Sequence, residues 1–276
     1  MPSEISLVYM VAGMANRFGG KIKGLMEVRP NGETLIEYSL NQALPYGFNK
    51  IIFIVSDKTF PFFKGRFRDL YRNIPITYAF QKYDRTIRDK PWGTADALCS
   101  ASKEIQSSFV VCNGDDIYGS ENFKTLYEHL INEGSSAAIG YNLLNNVPKI
   151  GSVNRGIFRT KNNYADEIKE TFGINRTNLP DLGLSENDLC SMNMFALRFE
   201  DMLLLEERVK SFKERHAGDR KAECLLPSEL SYLISNKLIS LKIYESEYTC
   251  LGLTNPWDEI FLKEELLRRD SLFESV

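Results

Sequence analysis

Alternation is the feature that most restricts this chain. Over the first 140 residues, short apolar runs rich in β-branched residues take turns with longer stretches of helical periodicity. Ile5–Val11, Ile51–Val55, Ile76–Phe80, Phe109–Cys112 and Ser136–Tyr141 read as strands. Thr34–Leu44, Phe60–Arg72, Ala95–Ile105 and Phe123–Asn132 read as helices. That alternation predicts an α/β fold of Rossmann-like type: three layers, a mostly parallel sheet with helices on both faces.

Beyond Asn145 the texture changes. Ser152–Phe158 and Tyr164–Lys169 read as paired strands, and the polar stretch Thr171 to Leu189 as a long loop. Then come a strand at Ser191–Arg198, helices at Glu200–Arg215 and Leu225–Ser235, a strand at Ile239–Tyr244 and a closing helix at Trp257–Arg269. No Pro/Gly/Ser-rich spacer marks a linker, so residues 1–276 read as a single domain. The second half is expected to be a lobe inserted into it.

The first strand runs into Met10–Glu27, MVAGMANRFGGKIKGLME. Glycines at a strand's carboxyl end let backbone N–H groups approach a phosphate. Arg17, Lys21 and Lys23 bring the charge that phosphate oxygens require. The spacing is neither the G-x-G-x-x-G of dinucleotide folds nor the Gly-Lys-Ser/Thr of a P-loop. A plain solvated turn with scattered cations is the competing reading.

Ligands of open α/β sheets sit outside the carboxyl ends of the strands. Gly13 follows the first strand, Gln81 the third and Gly114-Asp115 the fourth, so the three should converge on one crevice. Asp115, at a strand tip beside glycine, suits Mg²⁺, which takes one or two carboxylates plus phosphate oxygens. The alternative for Asp115 or Asp116 is capping of the next turn.

Four motifs in order, the loop at Met10–Glu27, LIEYSL at Leu35–Leu40, PWGTADAL at Pro91–Leu98 and VVCNGDDIYG at Val110–Gly119, resemble those of the sugar-phosphate nucleotidyltransferases. The likeness extends over roughly residues 5 to 130. It implies residues 1–140 as a nucleotide-binding part, and 141–276 as a substrate-binding lobe with a closing helix. It implies an enzyme that joins an NTP to a sugar 1-phosphate, releasing pyrophosphate with Mg²⁺.

By the same resemblance, Arg17, Lys23 and Asp115 are catalytic, and Asp115 holds the metal. Ala12, Gly13, Met14, Ala15, Asn16, Gln81, Gly93 and Thr94 belong to the nucleotide site, with Gln81 reading the base edge. An amide can serve there as donor or acceptor. Thr94 also reads as the N-cap of its helix. Asn193, Glu223 and Lys169 fall where the family binds its sugar phosphate.

Several departures stand out: Ala15 for a loop glycine, Asn16 for threonine, Ile22 for proline, and no E-K-P stretch. In LGLTNPWD, Thr254 takes the place of an expected acidic second metal ligand. A cytidylyltransferase for a non-sugar phosphate such as phosphocholine or a phosphonate therefore stays open. So do a nucleotide-binding regulatory protein without turnover and a metal-dependent glycosyltransferase. Adjacent Asp115-Asp116, lacking D-x-D spacing, speaks against the last.

Composition excludes other classes. A net charge of −3 offers no broad basic surface for nucleic acid. No run of 18 apolar residues predicts a membrane span, and MPSEIS lacks a secretory pattern. Five cysteines without C-x-x-C read as buried reduced thiols, and a cytoplasmic setting is expected. Only two histidines occur, His129 and His216, both expected at helix surfaces. The partners expected are an NTP and a phosphorylated small molecule, with neither nucleic acid nor membrane; a homo-oligomer is compatible with the sequence.

Overall fold

The computed structural model describes residues 4–13, 22–253 and 258–273, with side chains of the last helix to residue 268. Strands β1 (Ser6–Met10), β2 (Lys50–Val55), β4 (Ile74–Phe80) and β5 (Phe109–Asn113) are the four expected strands of the first half. They lie in the order β4-β2-β1-β5, all parallel. The chain thus moves outward on one side of β1 and then crosses to the other. The crossing makes the gap between β1 and β5 the sheet's topological switch point, the usual ligand crevice of such folds.

Both faces of these strands are covered, which explains their continuous apolar sequence. Leu7, Tyr9, Ile51, Phe53 and Val110 pack under α1 (Leu35–Ala43), α2 (Phe60–Phe67) and α4 (Ser120–Asn132). Val8, Ile52, Ile54 and Val111 face the other way, under α3 (Thr94–Cys99), α5 (Phe199–Arg215) and α6 (Leu226–Ser235). Strand alternation at period two sorts the residues between these layers. Helix α1 starts sharply because Thr34 and Glu37 form a reciprocal capping box.

The second half continues the same sheet. Strands β7 (Ser136–Asn142), β8 (Val153–Lys161), β9 (Tyr164–Ile174), β10 (Leu189–Leu197) and β11 (Leu241–Glu245) extend it as β5-β10-β7-β11-β9-β8. Strand β10 runs antiparallel to β5 and β7, and β8 curls back to bridge β10 at Ile157 and Cys190. The sheet is therefore mixed from β10 onward. Two short strands, β6 (Asp116–Ile117) and β12 (Leu251–Gly252), pair separately, and α7 (Asp258–Phe273) closes over them through Leu262 and Leu266.

Four local expectations change. The helix expected over Phe60–Arg72 ends at Phe67, because Arg68 turns to φ 54° and Leu70–Tyr71 pairs with β4 as β3. Positive φ at Arg72 and Asn73 makes that hairpin turn. The helix expected over Ala95–Ile105 ends at Cys99 and continues as tight turns. Strand β9 takes residues Thr171–Ile174 from the expected loop, pairing Thr171 with Arg155 and Ile174 with Val153. His129 is only 3% exposed, contrary to a surface placement: its ring nitrogens bond the Tyr244 hydroxyl and the Ser135 carbonyl. Burial holds its pKa below the usual histidine value. Among the described residues no helix is long and apolar enough to cross a membrane.

Candidate nucleotide site

The carboxyl ends of β1 and β5 open into a cleft of about 150 Å³ lined by Met10, Val11, Gly13, Ile22, Lys23, Gly24, Gly114 and Asp115. Its floor is backbone against backbone. A Cβ on Gly24 would lie 2.6 Å from the Gly114 carbonyl oxygen, so only glycine permits this approach. The contact sets Lys23, on a single 3-10 turn over Lys23–Leu25, directly over the β5 tip. Lys23 Nζ donates to Asp115 Oδ2 at 3.1 Å. Two of the three residues expected to be catalytic, the phosphate-binding Lys23 and the metal-holding Asp115, are thus joined although they are far apart in sequence. The third, Arg17, lies outside the described residues, as do Met14, Ala15, Asn16, Lys21 and Thr254.

Asp116 is the more buried of the two aspartates, at 8% exposure. Its Oδ2 accepts from Asn113 Nδ2 at 2.9 Å, while Oδ1 lies against β12. Burial, and then the adjacent Asp115 charge, push its carboxyl well above the usual carboxylate range. Gly252 pairs with Asp116 across β12 and β6, and a Cβ there would sit 2.1 Å from Asp116 Oδ1. The space a side chain at 252 would take is filled by the Asp116 carboxylate. The donor set therefore fits a Mg²⁺ held at Asp115 with a second carboxylate adjacent, since Mg²⁺ keeps several waters and needs few protein ligands.

Ala12 and Gln81 lie along the same edge. Ser56 Oγ donates to the Ala12 carbonyl, and the Gln81 N–H donates to the Val55 carbonyl, carrying the edge from β1 over β2 to β4. Gln81 Nε2 donates to Gly93 O at 3.0 Å and to Asp96 Oδ2 at 2.9 Å. The helix cap of α3 is Gly93, at φ 106°, and not Thr94 as expected. Thr94 Oγ1 instead accepts the Leu226 N–H at 2.8 Å, because the 92–95 backbone is laced to Cys224 on both sides of it. Buried Arg88 completes that lacing, donating to Asp219 O and Ala222 O with its guanidinium 3.3 Å over the Trp92 ring.

The residues expected to meet the sugar phosphate disperse. Asn193 sits beside the cleft in a bulge of β10 at φ 58°, its Nδ2 donating to Asn113 Oδ1 at 3.4 Å. Glu223 accepts from Lys90 Nζ at 2.7 Å in an exposed ion pair. Lys169 is exposed on β9 opposite Ile157, and its neighbour Glu170 turns to the α6 side. Glu170 Oε2 is buried with no hydrogen-bond partner among the described residues, and burial raises its pKa. Sequence reasoning does not single out Asp96, Asn113 or Glu170. The first two carry a signal in being polar residues set among the apolar residues of a motif.

A family model described as nucleotidyl transferase matches residues 23–170, more than half of the chain. The chain belongs to the nucleotidyl transferase family. A curated relative, the UTP–glucose-1-phosphate uridylyltransferase AglF of Haloferax volcanii, is 29% identical over 115 residues. That match takes in 40% of this chain and 43% of the relative, so the chain spans less than half of that protein's length. Among solved structures, a UDP-glucose pyrophosphorylase complexed with UDP-glucose aligns at TM-score 0.66 and 17% identity, over 96% of this chain and 99% of the other. The inositol-1-phosphate CTP transferase of T. maritima aligns at 0.64 and 14%, over 95% and 96%. At those identities the structures share this fold. The nucleotidyl transferase match begins at Lys23 and contains Gln81, Gly93, Thr94 and Asp115.

Proposed function

We propose that this nucleotidyl transferase joins an NTP to a sugar 1-phosphate, giving an NDP-sugar and pyrophosphate. The observation that carries the reading is the Lys23–Asp115 pair at the β1/β5 switch point. A cation and a carboxylate face one cleft there, and that combination suits a triphosphate with its divalent ion. A phosphate oxygen of the acceptor attacks the α-phosphorus, the bond to the bridging oxygen breaks, and pyrophosphate leaves with that electron pair. Such a transfer needs charge stabilisation more than an acid or a base. Asp115, with Asp116 beside it, would hold a Mg²⁺, whose chemistry is to neutralise the triphosphate and the departing pyrophosphate.

Lys23 and Arg17 pair with the phosphate oxygens, and the backbone at Ala12 and Gly13 comes close to them, with Met14, Ala15 and Asn16 contributing to the same nucleotide site. Gln81, Gly93 and Thr94 form the base side. Asn193 lies on the opposite, β10 side of the cleft, beside Asn113, and would meet the sugar phosphate there, with Glu223 and Lys169 in the same half of the chain. Residues 141–276 would then supply the acceptor's half of the site. Reduced, mostly buried thiols support a cytoplasmic setting. The test is pyrophosphate release with each of four NTPs against a panel of sugar 1-phosphates, phosphocholine and phosphonates. Turnover restricted to phosphocholine or a phosphonate with CTP, or no release from any pair, would overturn the reading.

A further inference from the structure

Gln81 can offer a base either an amide N–H or an amide oxygen, and an amide's orientation is ordinarily an assignment from its surroundings. Here the surroundings allow one answer. Both partners of Nε2 are obligate acceptors, the Gly93 carbonyl and the Asp96 carboxylate. Turning the amide over would set Oε1 against two oxygens. Asp96 is 5% exposed, and its other oxygen, Oδ1, is ion-paired with Lys213 Nζ of α5. The carboxylate is therefore used on both sides. Half-buried Gln81 keeps only Oε1 unengaged among the described residues.

We infer that Asp96, held by Lys213, is the positioning residue that sets base choice: it fixes Gln81 so that only an acceptor faces the base. The site then takes bases that present a ring N–H, at N3 of uracil or thymine or N1 of guanine. It rejects cytosine and adenine, whose corresponding ring nitrogens carry a lone pair. This rests on the proposed nucleotide site, with Gln81 at its base end, and deepens it. Lys213 comes from the half of the chain assigned to the acceptor, so base choice depends on the two halves being assembled.

Asp96→Asn makes the inference testable, because Lys213 decides how the introduced amide turns. That amide must keep its oxygen toward Lys213 and so aims its NH₂ at Gln81. The Gly93 carbonyl still accepts from Nε2, so Gln81 is drawn to both orientations, and in a share of the molecules its own NH₂ faces the base. Equilibrium binding of UTP, TTP, GTP, CTP and ATP with Mg²⁺ reads this without any turnover. Wild type should bind the better of UTP, TTP and GTP about tenfold to a hundredfold more tightly than CTP or ATP, the range expected when a buried polar edge is left unpaired. The UTP, TTP and GTP arms separate the three bases that share the chemistry.

In Asp96→Asn that ratio should shrink by about threefold or more, because the amide is no longer held in one orientation. Adding Lys213→Met frees the introduced amide to turn either way and should restore part of the ratio. A wild type that prefers CTP or ATP, or one that binds none of the five, would overturn the inference. So would an Asp96→Asn protein, folded by circular dichroism, whose ratio is unchanged or whose affinities all fall equally. Selective binding without pyrophosphate release would overturn the proposed reaction and leave the base assignment standing.

Discussion

Gly252→Ala should damage the molecule through one carboxylate, and a double-mutant cycle can show it. The added Cβ would lie 2.1 Å from Asp116 Oδ1, with the Asp115 carbonyl at a comfortable 3.7 Å. Ordinary contact, which begins near 3.4 Å, requires the carboxylate to retreat by at least about 1.3 Å. That movement takes Oδ2 off the Asn113 amide, now at 2.9 Å. Leaving the partly buried Asn113 amide without its partner costs about 1–3 kcal/mol. The backbone at 252 is not in a left-handed conformation, so no conformational term is added.

Gly252→Ala is therefore expected to lose about 2 kcal/mol, or roughly 4–8 °C in Tm for a chain of this size. In an Asp116→Ala background the obstacle is gone and the same substitution should cost under about 0.5 kcal/mol. Urea and thermal denaturation of the four proteins measure the coupling. Equal costs in both backgrounds would refute the claim that the Asp116 carboxylate fills the space at 252.

Asp115→Asn should abolish pyrophosphate release while moving Tm by less than about 3 °C, since its pair with Lys23 is partly exposed and such pairs contribute about 0–1 kcal/mol; near wild-type turnover in the folded protein would contradict its role. Lys23→Ala should lower kcat/KM at least about tenfold, or 1.4 kcal/mol, if the ammonium meets a phosphate in the transition state. Gly93→Ala combines a positive φ with a Cβ 2.5 Å from the Cys224 carbonyl, and should cost about 2 kcal/mol or more together with nucleotide affinity, read by denaturation and UTP titration. His129 has its pKa lowered by burial, so its contribution is present above the ordinary histidine value of 6.5 and is lost as pH falls through the depressed one. The urea midpoint of wild type should thus fall more steeply from pH 7 to pH 5 than that of His129→Gln, by at most about 1.4 kcal/mol per pH unit; parallel profiles would show that the ring titrates normally.

Much of the architecture is legible in the sequence because its signals are local. Continuous apolar runs set β1, β2, β4 and β5, and Thr34 with Glu37 marks the start of α1. The helix over Phe60–Arg72 reads too long because the β3–β4 pairing that ends it depends on partners the apolar pattern does not name. Burial of His129 likewise rests on Tyr244 and Ser135, brought to it by β7 and β11. Thr94 reads as a cap because its own neighbourhood is that of a cap; the Leu226 N–H that occupies it comes from the other half of the chain.

From the order of residues it already follows that β1, β4 and β5 run into glycine, glutamine and aspartate, and that such ends face one crevice in a parallel sheet. Strand order, register and the mixed second half come only with the folded chain, since pairing partners are chosen by global packing. Folding also settles which polar groups are already spent. Gln81 could offer donor or acceptor until Asp96 and Lys213 close around it, and Asp116 could be a turn cap until Gly252 makes room for it. A hydrogen bond between distant residues leaves no periodic trace in sequence, yet it fixes which atom of a side chain remains for a ligand.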